Sequence, residues 1–138
     1  MRFIYLLFFF LVSQIADGQV FSFDFKVSKE RRLLDQALDL NKAQVQQVEA
    51  ILTKSKRMAK EGLVVSERKE VSEFLKEAAL YYGMHKTINQ ILEEGQKEKH
   101  KNLIVPKDVF FENYINSAHG KLLNKEEMSQ LINAWKLL

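Results

Sequence analysis

The residues best suited to chemistry are three histidines, His85, His100 and His119. No two of them stand four positions apart, and no His-Glu-x-x-His pattern occurs, so the sequence offers no helical metal motif. Met84 and His85 together are soft-ligand types. A single histidine on an apolar stripe, however, is more often a satisfied core or interface group. Glu93 and Glu94 are paired carboxylates, but they lie in a lysine-rich, solvated run where little would perturb a pKa. No nucleophile signature and no glycine-rich phosphate loop is present. The expectation is therefore a protein without catalytic, cofactor-binding or metal residues, and not an enzyme.

A different kind of site is suggested by Lys54, Lys56, Arg57 and Lys60, which surround Met58 and stand just before Leu63. Positive charge beside adaptable apolar side chains suits a flexible, acidic or partly unfolded polypeptide. Charge speeds the encounter and methionine moulds to varied shapes. The same cations near a helix C-terminus also complement its dipole, which is a purely structural reading.

The chain has 138 residues, which favours one domain. Residues 1–18 have the layout of a secretory signal: Arg2, an apolar run over 3–12, then "SQIADG" with small Ala16 and Gly18. Ten apolar residues are too few to span a bilayer as a helix, which takes about 20. Cleavage after Gly18 would leave Gln19 first and no stable membrane span. The chain has no cysteine and no Asn-x-Ser/Thr site, which leans towards a bacterial periplasm. A formal net charge of +3 is no recommendation for nucleic acid, acidic lipid or acidic clients and reads as a solvated surface.

Residues 19–29 begin with alternating Phe21, Phe23 and Phe25 and read as an extended arm, with residues 30–138 as a helical domain. Ser28 is the expected N-cap of a short amphipathic helix carrying Leu33, Leu34, Ala37 and Leu38. A second helix follows from Asn41, with Gly62 as C-cap and "LVVS" at 63–66 as a hinge. A long third helix runs through Phe74, Ala78, Tyr81, His85, Ile88 and Leu92. Its pattern dies in "EEGQKEKHKN" at 93–102, expected to be solvated or frayed. Pro106 stops helix before it and admits helix after it, and Gly120 or Leu122 closes the next one. The fold class is all-α, an antiparallel hairpin or bundle of four to five helices.

One phrase occurs twice. "LNKAQVQQV" starts at Leu40 and "LNKEEMSQL" at Leu123. In each, an asparagine (Asn41, Asn124) can cap a helix, and a residue three places on (Gln44, Glu127) can reach back to the cap backbone. Leu40 with Val45, and Leu123 with Met128, can staple the box from outside.

This pair of phrases, in an exported, cysteine-free, helical chain, resembles the Spy/CpxP family of bacterial periplasmic proteins, whose signature is a doubled Leu-Thr-x-x-Gln. Here Leu40-Asn41-Lys42-Ala43-Gln44 has Asn for Thr, and the second copy also has Glu for Gln. The resemblance runs from about residue 30 to 138. It implies a curved helical homodimer acting as a chaperone for unfolded envelope proteins, as a partner that restrains an envelope-stress sensor kinase, or as a metal-responsive relative. The family's metal-responsive members use histidine sites that this sequence lacks.

Overall fold

The computed structural model describes residues 25–62 and 71–138. The expected signal segment, Phe21 and Phe23 of the arm, and the 63–66 hinge with Leu63 lie outside the described residues. What is described is all-α. The helices are α1 (Val27–Leu38), α2 (Lys42–Gly62), α3 (Val71–Gln90), α4 (Glu94–Lys101), α5 (Lys107–Ile115) and α6 (Lys125–Trp135). A 3-10 turn, Gly120–Leu122, precedes α6. None of the described helices is long and apolar enough to cross a membrane.

α1 starts one residue before Ser28, which lies inside its first turn. The capping position falls to Lys26, whose side chain makes no cap bond. Residues 27–29, expected in the arm, are therefore helical, and only Phe25 and Lys26 precede the helix as described extended chain. α1 ends at Asp39, which takes the left-handed conformation (φ 53°) and donates its N–H to the Asp35 carbonyl at 2.8 Å. The Asp35 side chain accepts from Leu40 N–H at 3.2 Å. This tight reversal lays α2 back along α1.

Gln44, Val48, Leu52, Ser55 and Ala59 form the buried stripe of α2, spaced by four, four, three and four. α2 packs against α1 and also against α3. α3 buries Phe74, Ala78, Tyr81, Met84, His85 and Ile88. At its far side Phe74 stacks on Tyr114 with ring centroids 3.9 Å apart, and on Trp135 at 5.5 Å. Phe110 fills in at 5.6 Å from Phe74 and 5.5 Å from Tyr81. Each such pair adds about 0.5–1.5 kcal/mol beyond the area it buries, so aromatic rings fix α5 and α6 on α3.

The link to α5 is pinned by its backbone. Tyr81 Oη accepts from Val105 N–H at 3.0 Å, and Tyr82 Oη donates to the Val105 carbonyl at 2.7 Å. Burial pushes Tyr81 up to about 12 and raises Tyr82 as well, so both phenols stay protonated and the clamp holds at neutral pH.

Two expected boundaries move. The helix after Pro106 stops at Ile115, with the chain turning through Asn116 before the 3-10 turn. The 93–102 run is not frayed. It forms α4, docked on α1, so the bundle holds one helix more than expected. A pattern of apolar residues could not show this, because α4 turns inward glutamine and histidine rather than leucine.

Gly120 is fixed by close approach. A Cβ there would lie 2.0 Å from the Tyr114 carbonyl oxygen and 2.6 Å from the Ile115 backbone. Gly83, within α3, has open space around it. Gly120→Ala should lower unfolding free energy by about 1–3 kcal/mol as backbone is forced apart. Gly83→Ala should raise it by roughly 0.5–1 kcal/mol through helix propensity. Urea titration of the two variants checks the opposite signs.

Candidate functional site

The two copies of the repeated phrase both build the device their residues allow. Asn41 Oδ1 accepts from Gln44 N–H at 2.8 Å, and Gln44 Oε1 accepts from Asn41 N–H at 3.0 Å. Asn124 and Glu127 repeat the exchange at 2.8 and 3.2 Å. Leu40 is buried, while Val45, Leu123 and Met128 pack half-buried on the core.

Beyond capping, the copies part company. Glu127 is half-exposed, whereas Gln44 is buried and continues inward. Its Nε2 donates to the Ile91 carbonyl at 3.2 Å and to Gln96 Oε1 at 2.8 Å. Gln96 Nε2 returns a bond to Gln44 Oε1 at 3.1 Å and reaches the Leu38 and Asp39 carbonyls, both at 3.2 Å. Gln96 Oε1 also accepts from Glu93 N–H at 3.0 Å, at the start of α4. Two glutamines thus tie the starts of α2 and α4 to the end of α1, with every amide hydrogen and lone pair employed.

One turn further on, His100 is completely buried at 0 % exposure. Its Nε2 lies 3.0 Å from Nδ1 of His85 on α3, and its Nδ1 lies 3.2 Å from Asn89 Nδ2. An amide nitrogen only donates, so His100 Nδ1 is the acceptor. Its proton is then on Nε2, donated to His85. This order requires both rings to be neutral. Burial lowers His85 to about 3, assisted by repulsion from His100, and lowers His100 to about 4. Both groups are neutral in the fold and free to charge in the unfolded chain. Their contribution is therefore whole above pH about 6.5 and drains away as pH falls towards 4.

His85 sets its ring edge-on to Tyr81 at 4.6 Å and also lines a cavity of about 60 Å³. The cavity's walls are mainly Phe25, Leu33, Leu34, Leu52 and Met84, and Glu30 is its one acidic group. Burial raises the Glu30 carboxyl. Among the described residues no three His, Cys, Asp or Glu side chains converge as a metal site. Glu93 and Glu94 are exposed at the start of α4, where Glu94 pairs with Lys97 at 3.5 Å.

The basic cluster of α2 divides. Lys54, Arg57 and Lys60 are exposed and step by three along the outer face, and Met58, 45 % exposed, follows Lys54 by one turn. Lys56 belongs elsewhere. It is half-buried, with Nζ donating to the Phe25 carbonyl at 2.6 Å and standing 5.8 Å from the Phe25 ring centroid. The outer face continues as a shallow groove along Gln46, Glu49, Ala50, Thr53, Lys54 and Arg57. Its one acid, Glu49, is drawn to Arg31 on α1 at 3.7 Å.

Gln96, His100 and their bonds to Gln44 and His85 escape a reading based on apolar periodicity. A signal existed nonetheless, since Leu92, Gln96, His100 and Leu103 continue a four, four, three spacing through the polar run.

The two phrases give a direct comparison of a bare cap with a cap that also joins helices. Glu127→Ala should cost about 1 kcal/mol, the worth of an exposed box. Gln44→Ala should cost about 2–4 kcal/mol, because it also removes the bonds that the buried Gln44 amide makes to the Ile91 carbonyl and to Gln96. Chemical denaturation of the two single variants measures the gap.

Compared with family models, curated proteins and solved structures, this chain matches none of them.

Proposed function

We propose that this chain is an exported, non-enzymatic helical binding protein that shields unfolded or exposed segments of envelope polypeptides, as a chaperone does. The observation that carries this reading is the outer face of α2. Lys54, Arg57 and Lys60 are exposed there beside Met58, and among the described residues Lys54 and Arg57 make no ion pair. Cations left unpaired remain available to an acidic segment, and Met58 offers an adaptable apolar contact. Lys56 drops out of this surface because it is engaged with Phe25. The repeated capping phrase, the helical class and the expected export signal support placing the protein in a periplasm, acting as a homodimer. A partner that restrains an envelope-stress sensor kinase is the second reading, and the same face would serve it.

The purified protein should slow aggregation of an unfolded substrate at low salt, and less so as salt screens the face. Replacing Lys54, Arg57 and Lys60 by glutamine should weaken that suppression several-fold. Lys56→Gln should instead alter stability and leave suppression largely intact. No suppression, or equal suppression by the triple variant, overturns the reading. A single stoichiometric partner captured from envelope extract favours the regulator, and many sub-stoichiometric ones favour the chaperone.

A further inference from the structure

α4 is held in an unusual way. Its sequence, EGQKEKHK, contains no leucine, isoleucine, valine, methionine or aromatic residue other than histidine. A helix of eight residues does not persist alone in water. At one end it is fixed by Gln96 to Gln44 and to the end of α1. At the other it is fixed by His100 to His85 and Asn89 of α3. The first attachment is made of amides and does not titrate. The second depends on two imidazoles that share a single proton bridge.

We propose that the His85–His100 pair is an acid-sensitive latch, which releases the C-terminal end of α4 from α3 while the Gln44–Gln96 junction holds its N-terminal end. The chemistry of the pair sets two steps. One added proton can be tolerated if the Asn89 amide turns over and offers its oxygen to His100 Nδ1. All ring nitrogens but one then carry hydrogen, and the 3.0 Å bridge survives. A second proton leaves both facing nitrogens as donors and places two cations in contact, so the bridge must break. Water reaches both rings only if α4 swings away.

The neighbouring charges do not rescue the closed form. From α1, Glu30 lines the same cavity as His85, but burial raises its carboxyl, so it takes up a proton early as pH falls. From α2 the cavity receives only Leu52. From α3, His85 meets the neutral phenol of Tyr81, and His100 meets Asn89. On α4 itself Lys97, Lys99 and Lys101 are cationic, and the two carboxylates, Glu94 and Glu98, are paired with Lys97 and Lys101 rather than with His100. The latch is separate from the outer face of α2 and stands whether or not that face binds polypeptides.

The test is hydrogen exchange of the full chain at about pH 7 and about pH 5, corrected for the intrinsic pH dependence of exchange. If the open form takes up two protons at ordinary histidine pKa values, the open population should grow roughly several-hundred-fold over that interval. Amides of α4 should lose protection by on the order of 100-fold or more, with those of α3 between Phe74 and Ile88 retained. Unchanged α4 protection overturns the latch, and so does simultaneous loss across α1, α2 and α3. In His85→Phe/His100→Leu the loss should become independent of pH, and a persistent acid response overturns the assignment. Should that variant not fold, NMR of the native chain decides. Ring signals that titrate near 6.5 while α4 stays protected contradict the proposal, and signals that charge only together with α4 opening support it.

Discussion

The arrangement depends on one constraint: a buried amide must find partners for every hydrogen and lone pair it brings inside. Gln44 and Gln96 satisfy that demand by facing each other, and the geometry needed to do so fixes three helix ends at once. The end of α1 must present the Leu38 and Asp39 carbonyls to Gln96. The start of α2 must hold Gln44 in its capping box, and the chain after α3 must bring the Ile91 carbonyl to its side chain. A half-satisfied version would be worse than an apolar contact, because each stranded group keeps its desolvation cost. Such a junction therefore specifies one arrangement more sharply than leucines could. The left-handed Asp39, an uncommon conformation for a residue with a side chain, becomes intelligible as part of this demand, since its carbonyl is one of the acceptors.

The molecule consequently has two ends held by different physics. Around Phe74, Phe110, Tyr114 and Trp135 the contacts are ring on ring, strong in burial and insensitive to pH. Around α4 they are hydrogen bonds among glutamine, asparagine and histidine, strong only while every donor meets an acceptor. Tyr81 joins the two regions. Its ring lies against Phe110 on one side and His85 on the other, and its hydroxyl fixes Val105 in the link between α4 and α5.

Much of this was legible in the residues. The doubled phrase announced two capped helix starts, and both boxes form with the partners that the spacing named. The helical class, the buried stripe of α3 with His85 on it, and the break at Pro106 follow from periodicity and backbone chemistry. Ser28 misled because a serine before an apolar run is an N-cap only if the chain is extended there, and here the helix has already begun at Val27. The 93–102 run misled for a deeper reason. Hydropathy records transfer to an apolar phase, where glutamine and histidine are penalised. A buried position that supplies matched partners reverses that penalty, and no single-residue scale contains the partner.

The α2 cluster shows the same limitation from the other side. Lys54, Lys56, Arg57, Met58, Lys60 and Leu63 are close in sequence, but closeness in sequence is not closeness on one helix face. At 100° per residue, Lys56 points far from the line of Lys54 and Arg57, and its ammonium finds the Phe25 carbonyl instead. This division sharpens the binding reading. A face meant only to balance a helix dipole would need cations in the last turn alone, yet Lys54 lies two turns before the end of α2 at Gly62. Glu49, the one acid that lines the groove with Lys54 and Arg57, is turned to Arg31 on the neighbouring helix. Among the described residues Lys54 and Arg57 make no ion pair, and exposed positive charge of this kind costs little in water.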